Sequence, residues 1–257
     1  MAQSSEIEEL LKSKNERLDS VPSRLSEATV RSQKQLFNEV RLLLESFERD
    51  GDYILTTPGN IVKLNELKRQ LQRLLYSSEY VQAVKAFASE IDKQADINNA
   101  VYKTMVDYDE SAITAALIDS SKRSAVDALL GGSMDAAFYE PVAQTISSAV
   151  STGAGYVETV TALRLAIEGG EVNGSVIDGR LSRYVGQIAS DSFAITDRTY
   201  GNQVSVELQL EFYRYTGGLL DSSRPFCKAR NGYYFHEKEI ETWINGGGDM
   251  ESNPLPH

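Results

Sequence analysis

Cys227 and His236 lie in one stretch, "DSSRPFCKARNGYYFHEKEIETW" (221–243), which also holds Trp243; the 257-residue chain has one cysteine, one tryptophan and two histidines. Two kinds of chemistry could follow from these residue types. A cysteine ionised by a neighbouring histidine is a nucleophile, provided a third group orients the imidazole. Cys227, His236, His257 and a carboxylate such as Asp221 are also the ligand types of a zinc site. The spacing argues against zinc, whose motifs bring ligands together in pairs about two to five residues apart, whereas these are strung out singly. A structural reading fits the stretch better. Asp221 and Ser223 can accept backbone N–H groups before a turn, Arg224 can fork onto a carboxylate and Pro225 fixes the backbone, so Asp221 and Arg224 are expected to lock the loop. Cys227 then serves as a small hydrophobe, and Trp243 with Tyr233, Tyr234 and Phe235 forms a mini-core rather than a ligand box. No catalytic residue, metal or cofactor is assigned.

The elements that must position these residues form a small α+β module over 181–257. "LEFYRYTGGLLDSSRPFC" reads as a short strand, a Gly217-Gly218 turn and a loop, "NGYYF" as a hairpin turn entering a second strand, and "EKEIETWI" as a short helix. Just upstream, Leu181, Val185 and Ile188 have helical spacing.

Everything before this module reads as helix. Leu36, Val40, Leu43, Leu44 and Phe47 mark one helical face, ending near Asp50-Gly51. Thr57 can cap the next helix, with Pro58 in its first turn and Ile61, Leu64, Leu67, Leu71, Leu74 and Leu75 as its stripe. Tyr80, Val84, Phe87 and Ile91 mark a third, so residues 1–110 are expected to form a helical hairpin or bundle that packs or docks. "LDSVPSRLSE" within it is compatible with a linker. Lys63, Lys68, Arg69 and Arg73, interleaved with Glu66 and leucines, read as a solvated face rather than a phosphate-binding one. Residues 111–180 are rich in Ala, Ser and Gly and read as short helices joined by glycine turns. "STGAGYVE" lacks the Lys-Ser/Thr of a P-loop, and a turn between helices is the expected reading. The fold class is thus mainly α, with an α+β module at its C-terminal end.

Composition excludes several functions. Hydrophobic residues at 41% and charged residues at 25% are those of a globular chain. A net charge of −11 opposes tight binding to nucleic acid and favours protein partners. The lone cysteine suits a reducing compartment, and "MAQSSEIEELLKSKNERL" lacks the apolar run of a signal peptide. No run reaches the roughly 18 apolar residues that span a bilayer.

Asp221, Ser223, Arg224, Pro225, Cys227, Gly232, Phe235, Glu239, Ile240 and Trp243 fall in a recognisable order: a strand, an Asp-x-x-Arg-Pro-x-Cys loop, a Gly-aromatic turn and an acidic helix start. Over about 180–245 this order resembles the C-terminal part of the Mu F-like phage head morphogenesis, or minor capsid, proteins. More loosely, the long helical region containing "YILTTPGNIVKLNELKRQLQRLL" and "YVQAVKAF" also resembles virion proteins of this kind. Members often end on Cys-Arg-His or Cys-Arg-Cys, where this chain has "NGGGDMESNPLPH". The resemblance implies a structural, non-enzymatic virion protein made in the host cytoplasm and placed at the portal vertex or capsid interior. Its partners would be the portal protein, the major capsid protein, other virion proteins or further copies of itself. The acidic charge would suit a component that leaves with the DNA. Two alternatives belong to other classes: a tail or connector component, and a phage-associated enzyme. The enzyme would be a hydrolase at Cys227 and His236 or an ADP-ribosyltransferase-like toxin, for which Ser151-Thr152 and Glu239-x-Glu241 superficially supply the pieces. "EKEIE" is more simply a helix start, with carboxylates at the positive end of the dipole.

Overall fold

The structure is a computed structural model that describes residues 2–76, 79–215 and 223–244. It is mainly helical with a small α+β part at the C-terminal end. The chain divides into two compact units, one up to Tyr200 and one from Gly201 onward.

In the first unit α1 (Ala2–Glu45) runs 44 residues and packs along α3 (Glu79–Val106). The segment read as a linker is therefore helical. Val21, Leu25 and Ala28 continue the apolar face and are buried, and this burial outweighs the hydrogen bond that Pro22 cannot donate. The start of α2 (Pro58–Tyr76) follows its sequence signals: the Thr57 hydroxyl accepts the Asn60 N–H at 3.2 Å and Pro58 occupies the first turn. Leu67, Leu71 and Leu75 are buried, whereas Ile61 is exposed and Leu64 and Leu74 only half-buried, so the buried stripe of α2 is narrower than its leucines suggest. Further along come α4 (Ala112–Leu130), a π-helical turn (Asp135–Tyr139), α5 (Glu140–Thr152), α6 (Tyr156–Ile167) and α7 (Arg180–Glu207). Contacts of α3 with α4, α2 with α5 and α1 with α6 tie the elements on both sides of residue 110 into one body. None of the described helices is long and apolar enough to cross a membrane.

Two features hold this body in register. The first is the end of α4, where a helix leaves four carbonyls without partners. The Asp127 carbonyl takes the Gly131 N–H at 2.7 Å. Tyr184 of α7 donates to Ala128 O at 2.7 Å, Tyr80 of α3 to Leu129 O at 2.8 Å, and Tyr76 of α2 to Leu130 O. Three helices are thus pinned to the end of a fourth through phenol hydroxyls. The second feature is a polar clasp, in which Asp197 Oδ1 of α7 accepts from Lys14 of α1 (3.0 Å) and from Gln94 (3.2 Å) and Asn98 (3.0 Å) of α3. Arg17 extends the clasp to Gln94 Oε1 (3.2 Å) and Glu90 Oε2 (2.9 Å).

Two antiparallel hairpins interrupt the helices. The first joins β1 (Arg49–Asp50) to β2 (Tyr53–Ile54), and the second joins β3 (Gly169–Val172) to β4 (Ser175–Asp178). Asn173 and Gly174 both have positive φ, as a two-residue type I′ turn requires. At the base of the second hairpin Gln33 Nε2 donates to Ile167 O. A Cβ on Gly179 would stand 2.0 Å from that carbonyl oxygen and 2.4 Å from Gln33 Nε2. Gly179→Ala is therefore expected to cost about 1–3 kcal/mol through forced backbone movement, read as a lower urea midpoint at unchanged m value. An unchanged midpoint would show that the packing here is loose.

In the second unit the end of α7 leads into β5 (Phe212–Arg214), α8 (Pro225–Arg230), β6 (Tyr234–His236) and α9 (Glu237–Ile244). β5 pairs with β6 in the register Phe212↔His236, Tyr213↔Phe235 and Arg214↔Tyr234. The stretch read as a loop around Cys227 is a helix from Pro225 on, with proline in the first turn, where its missing N–H costs nothing. Asn231 (φ −61°, ψ 125°) and Gly232 (φ +89°) form a type II turn closed by Tyr233 N–H to Arg230 O at 3.1 Å. Glycine at 232 supplies the left-handed position of that turn. The Gly217-Gly218 turn lies outside the described residues.

Candidate functional site

Strand alternation decides which residues of the 223–244 stretch face inward. Phe235 pairs with Tyr213 and turns to the inside, while Tyr234 and His236 share the other face with Arg214 and Phe212. Trp243 of α9 is buried against Phe235 (ring centroids 4.8 Å), Phe226 (5.3 Å) and Tyr215 (6.4 Å), all edge-on. The mini-core therefore exists with different members from those expected. Tyr233 and Tyr234 are 64% and 68% exposed; Phe226 and Tyr215 take their places. Phe226 enters because α8 is a helix, which the loop reading had missed.

Arg230 closes this core. Its guanidinium lies 3.9 Å from the Phe226 ring centroid and 5.0 Å from that of Trp243, and its buried Nε has no hydrogen-bond partner among the described residues. Attraction to two aromatic faces offsets that missing bond. Its neighbour Cys227 is half-buried, and Cys227 Sγ accepts the Tyr215 hydroxyl at 3.3 Å. That bond, followed by burial, raises the Tyr215 pKa above its ordinary value.

His236 is engaged elsewhere. Its ring stands edge-on to Phe212 at 5.1 Å, Nδ1 accepts the Lys238 N–H at 3.1 Å, and Nε2 lies 3.8 Å from Glu211 Oε2. Acceptance at Nδ1 places the proton of the neutral ring on Nε2, facing Glu211. Cys227 and His236, paired on paper as nucleophile and base, thus spend their polar atoms on Tyr215, Lys238 and Glu211. Among the described residues no three His, Cys, Asp or Glu side chains gather as a metal site.

The remaining sequence candidates are placed as follows. Ser223 is half-buried, and Pro225 is exposed at the start of α8. Arg224 is exposed at the N-cap of α8, and its side chain forms no ion pair among the described residues. Asp221, its expected partner, lies outside the described residues, as does His257. Glu239 and Glu241 are exposed on α9, while Ser151 and Thr152 end α5 in the other unit. "STGAGYVE" is a turn between α5 and α6. Three of its N–H groups are taken by protein, Gly153 N–H by Val150 O, Ala154 N–H by Ala149 O and Tyr156 N–H by Asp52 O, and Ala154 O accepts from Ile54. Asp52 and Glu158 carboxylates flank Gly155, which would repel a phosphate.

Cutting the aromatic core should separate the two units experimentally. Trp243→Ala is expected to cost about 3–5 kcal/mol, which is comparable to all that a core of this size supplies. Limited proteolysis should then cleave the variant beyond Tyr200 while the fragment up to Tyr200 keeps its wild-type resistance. Equal resistance of the whole variant would show that Trp243 does not hold the module.

No family model, curated protein or solved structure matches this chain.

Proposed function

We propose that this chain is a structural, non-enzymatic component of a tailed-phage particle, a minor capsid or head morphogenesis protein at the portal vertex or the capsid interior. The observation that carries the reading is the C-terminal module itself. Its residues run strand, Arg-Pro-x-Cys helix, Gly-aromatic turn, strand and acidic helix, and they close around Trp243, Phe226, Phe235 and Tyr215. Of the residues that carry the family resemblance, Phe235 and Trp243 help build this core, and Cys227 and His236 are occupied by local bonds. In this reading the helical N-terminal region docks to portal or shell and the C-terminal module forms a second contact.

Quantitative mass spectrometry of purified particles before and after genome release tests the proposal by counting this chain against the portal. A few to some tens of copies in full particles is the expected result, and loss from emptied particles would add that the chain leaves with the DNA. Absence from both would overturn the proposal.

A further inference from the structure

We infer that Asn173, at the tip of the β3–β4 hairpin, is a site of spontaneous deamidation in which the Gly174 backbone nitrogen attacks the asparagine side chain, whereas the fold protects the same dipeptide at Asn231-Gly232. This inference stands independently of the virion reading.

The sequence holds Asn-Gly pairs at 173–174, 231–232 and 245–246, the last of them outside the described residues. Asparagine is thermolabile, and a following glycine removes the Cβ that would hinder approach to the backbone nitrogen. The reaction consumes water alone. The Gly174 nitrogen forms a bond to Asn173 Cγ, the Cγ–Nδ2 bond breaks, and ammonia leaves with the proton of the Gly174 N–H. Water then opens the cyclic imide. Opening at Cγ leaves aspartate in an unaltered main chain, and opening at the backbone carbonyl leaves isoaspartate, whose main chain is one methylene longer. Either product adds a negative charge at the hairpin tip.

The structure separates the two described pairs. Asn173 and Gly174 are exposed, and neither the Asn173 side chain nor the Gly174 N–H has a hydrogen-bond partner among the described residues. A Cβ placed on Gly174 would meet nothing within 4 Å, so the approach is open. Ring closure takes Asn173 out of its turn conformation (φ +52°), so the turn must open first. Little opposes that opening. Val172↔Ser175 is the pair next to the tip, the ribbon has two strands only, and Val176 on it is 84% exposed. A two-stranded ribbon of this kind frays readily at its end.

At the other pair the attacking nitrogen is already engaged: Gly232 N–H donates to Tyr215 O at 2.8 Å. Asn231 N–H donates to Cys227 O at 3.0 Å, and Tyr233 N–H closes the turn on Arg230 O. Tyr215 also packs against Phe226 and Trp243. Reaction at Asn231 therefore requires part of the aromatic core to open, a rarer event than fraying of an exposed tip.

Tryptic mapping of the full chain after warm incubation at mildly alkaline pH tests this, because Asn173 and Asn231 fall in separate peptides, 165–180 and 231–238. Exchange of NH2 for OH raises the mass of a peptide by about 1 Da. In the native chain the 165–180 peptide is expected to gain this mass at least about tenfold faster than 231–238. Its product should split into two chromatographic peaks, one co-eluting with the same peptide from Asn173→Asp and the other being isoaspartate. In urea the two peptides should react at comparable rates, since the unfolded chain lacks both the hairpin and the Tyr215 bond. Asn231 reacting as fast as Asn173 in the native chain, or Asn173 inert there while it reacts in urea, would overturn the inference. So would the same preference for Asn173 in urea, which would assign the difference to neighbouring residues rather than to the fold.

Discussion

Above about pH 10 the helical body is expected to lose stability steeply and unfold within about two further units. Tyr80, Tyr139 and Tyr200 are buried, and burial raises the pKa of each far above the ordinary tyrosine value. Neighbouring phenols add to the effect at Tyr80, and Glu110 does so at Tyr200. A phenol with a raised folded-state pKa keeps its proton where the unfolded chain has lost it, so the folded state binds more protons above pH 10 and stability falls as pH rises. The contribution is complete below pH 10. Each such tyrosine forfeits about 1.4 kcal/mol per pH unit, so three forfeit about 4 kcal/mol per unit, against a total of about 5–15 kcal/mol for a typical domain. Far-ultraviolet circular dichroism recorded with phenolate absorbance checks this. The buried set should ionise in a sharp step coincident with loss of helix. One smooth titration with helix retained would refute it. Tyr80→Phe separates the two roles of that side chain: it orphans the Leu129 carbonyl, costing about 1–3 kcal/mol at neutral pH, while making the alkaline loss shallower.

Sequence periodicity made the helices legible because each buries one face at a spacing of 3.6 residues. It located Leu36 to Leu44, the Thr57-Pro58 start and the Tyr80 to Ile91 stripe in helices, whereas Phe47, read as the end of the first face, is buried two residues beyond the end of α1. What it missed depends on contacts between distant residues. Pro22 reads as a break until Val21 and Leu25 are seen packed on either side of it. The β3–β4 hairpin was signalled by Asn173-Gly174, a turn pair that went unread between two glycine-rich stretches. At the candidate site the residue types were visible and their partners were not. Cys227 and His236 invite pairing in one dimension, but helix α8 gives Cys227 to Tyr215, and strand β6 gives His236 to Phe212 and Glu211. Arg230 went unread because it meets Phe226, one turn earlier, only once α8 is a helix, and meets Trp243 only through α9.

Asp197→Ala is expected to cost about 3–5 kcal/mol, the range for removing one partner of a buried charged pair, and to lower the melting temperature by roughly 10 °C. The side chain is 12% exposed and the Lys14 side chain 19%, so little solvent screens the pair. Losing the carboxylate strands the Lys14 ammonium and also the amide N–H groups of Gln94 and Asn98, which have used Asp197 Oδ1 as their shared acceptor. Asp197→Asn keeps a side-chain carbonyl for the two amides and should recover part of the loss; a cost below about 1 kcal/mol for Asp197→Ala would show that the clasp is not a stabilising element. The effect should also be local. Residues 6–20 of α1 include none that is buried, so the polar contacts of Lys14 and Arg17 are the strongest ties holding this part of the helix to α3 and α7. Hydrogen exchange in Asp197→Ala should therefore accelerate first over 6–20, ahead of the stretch anchored by Val21 and Leu25.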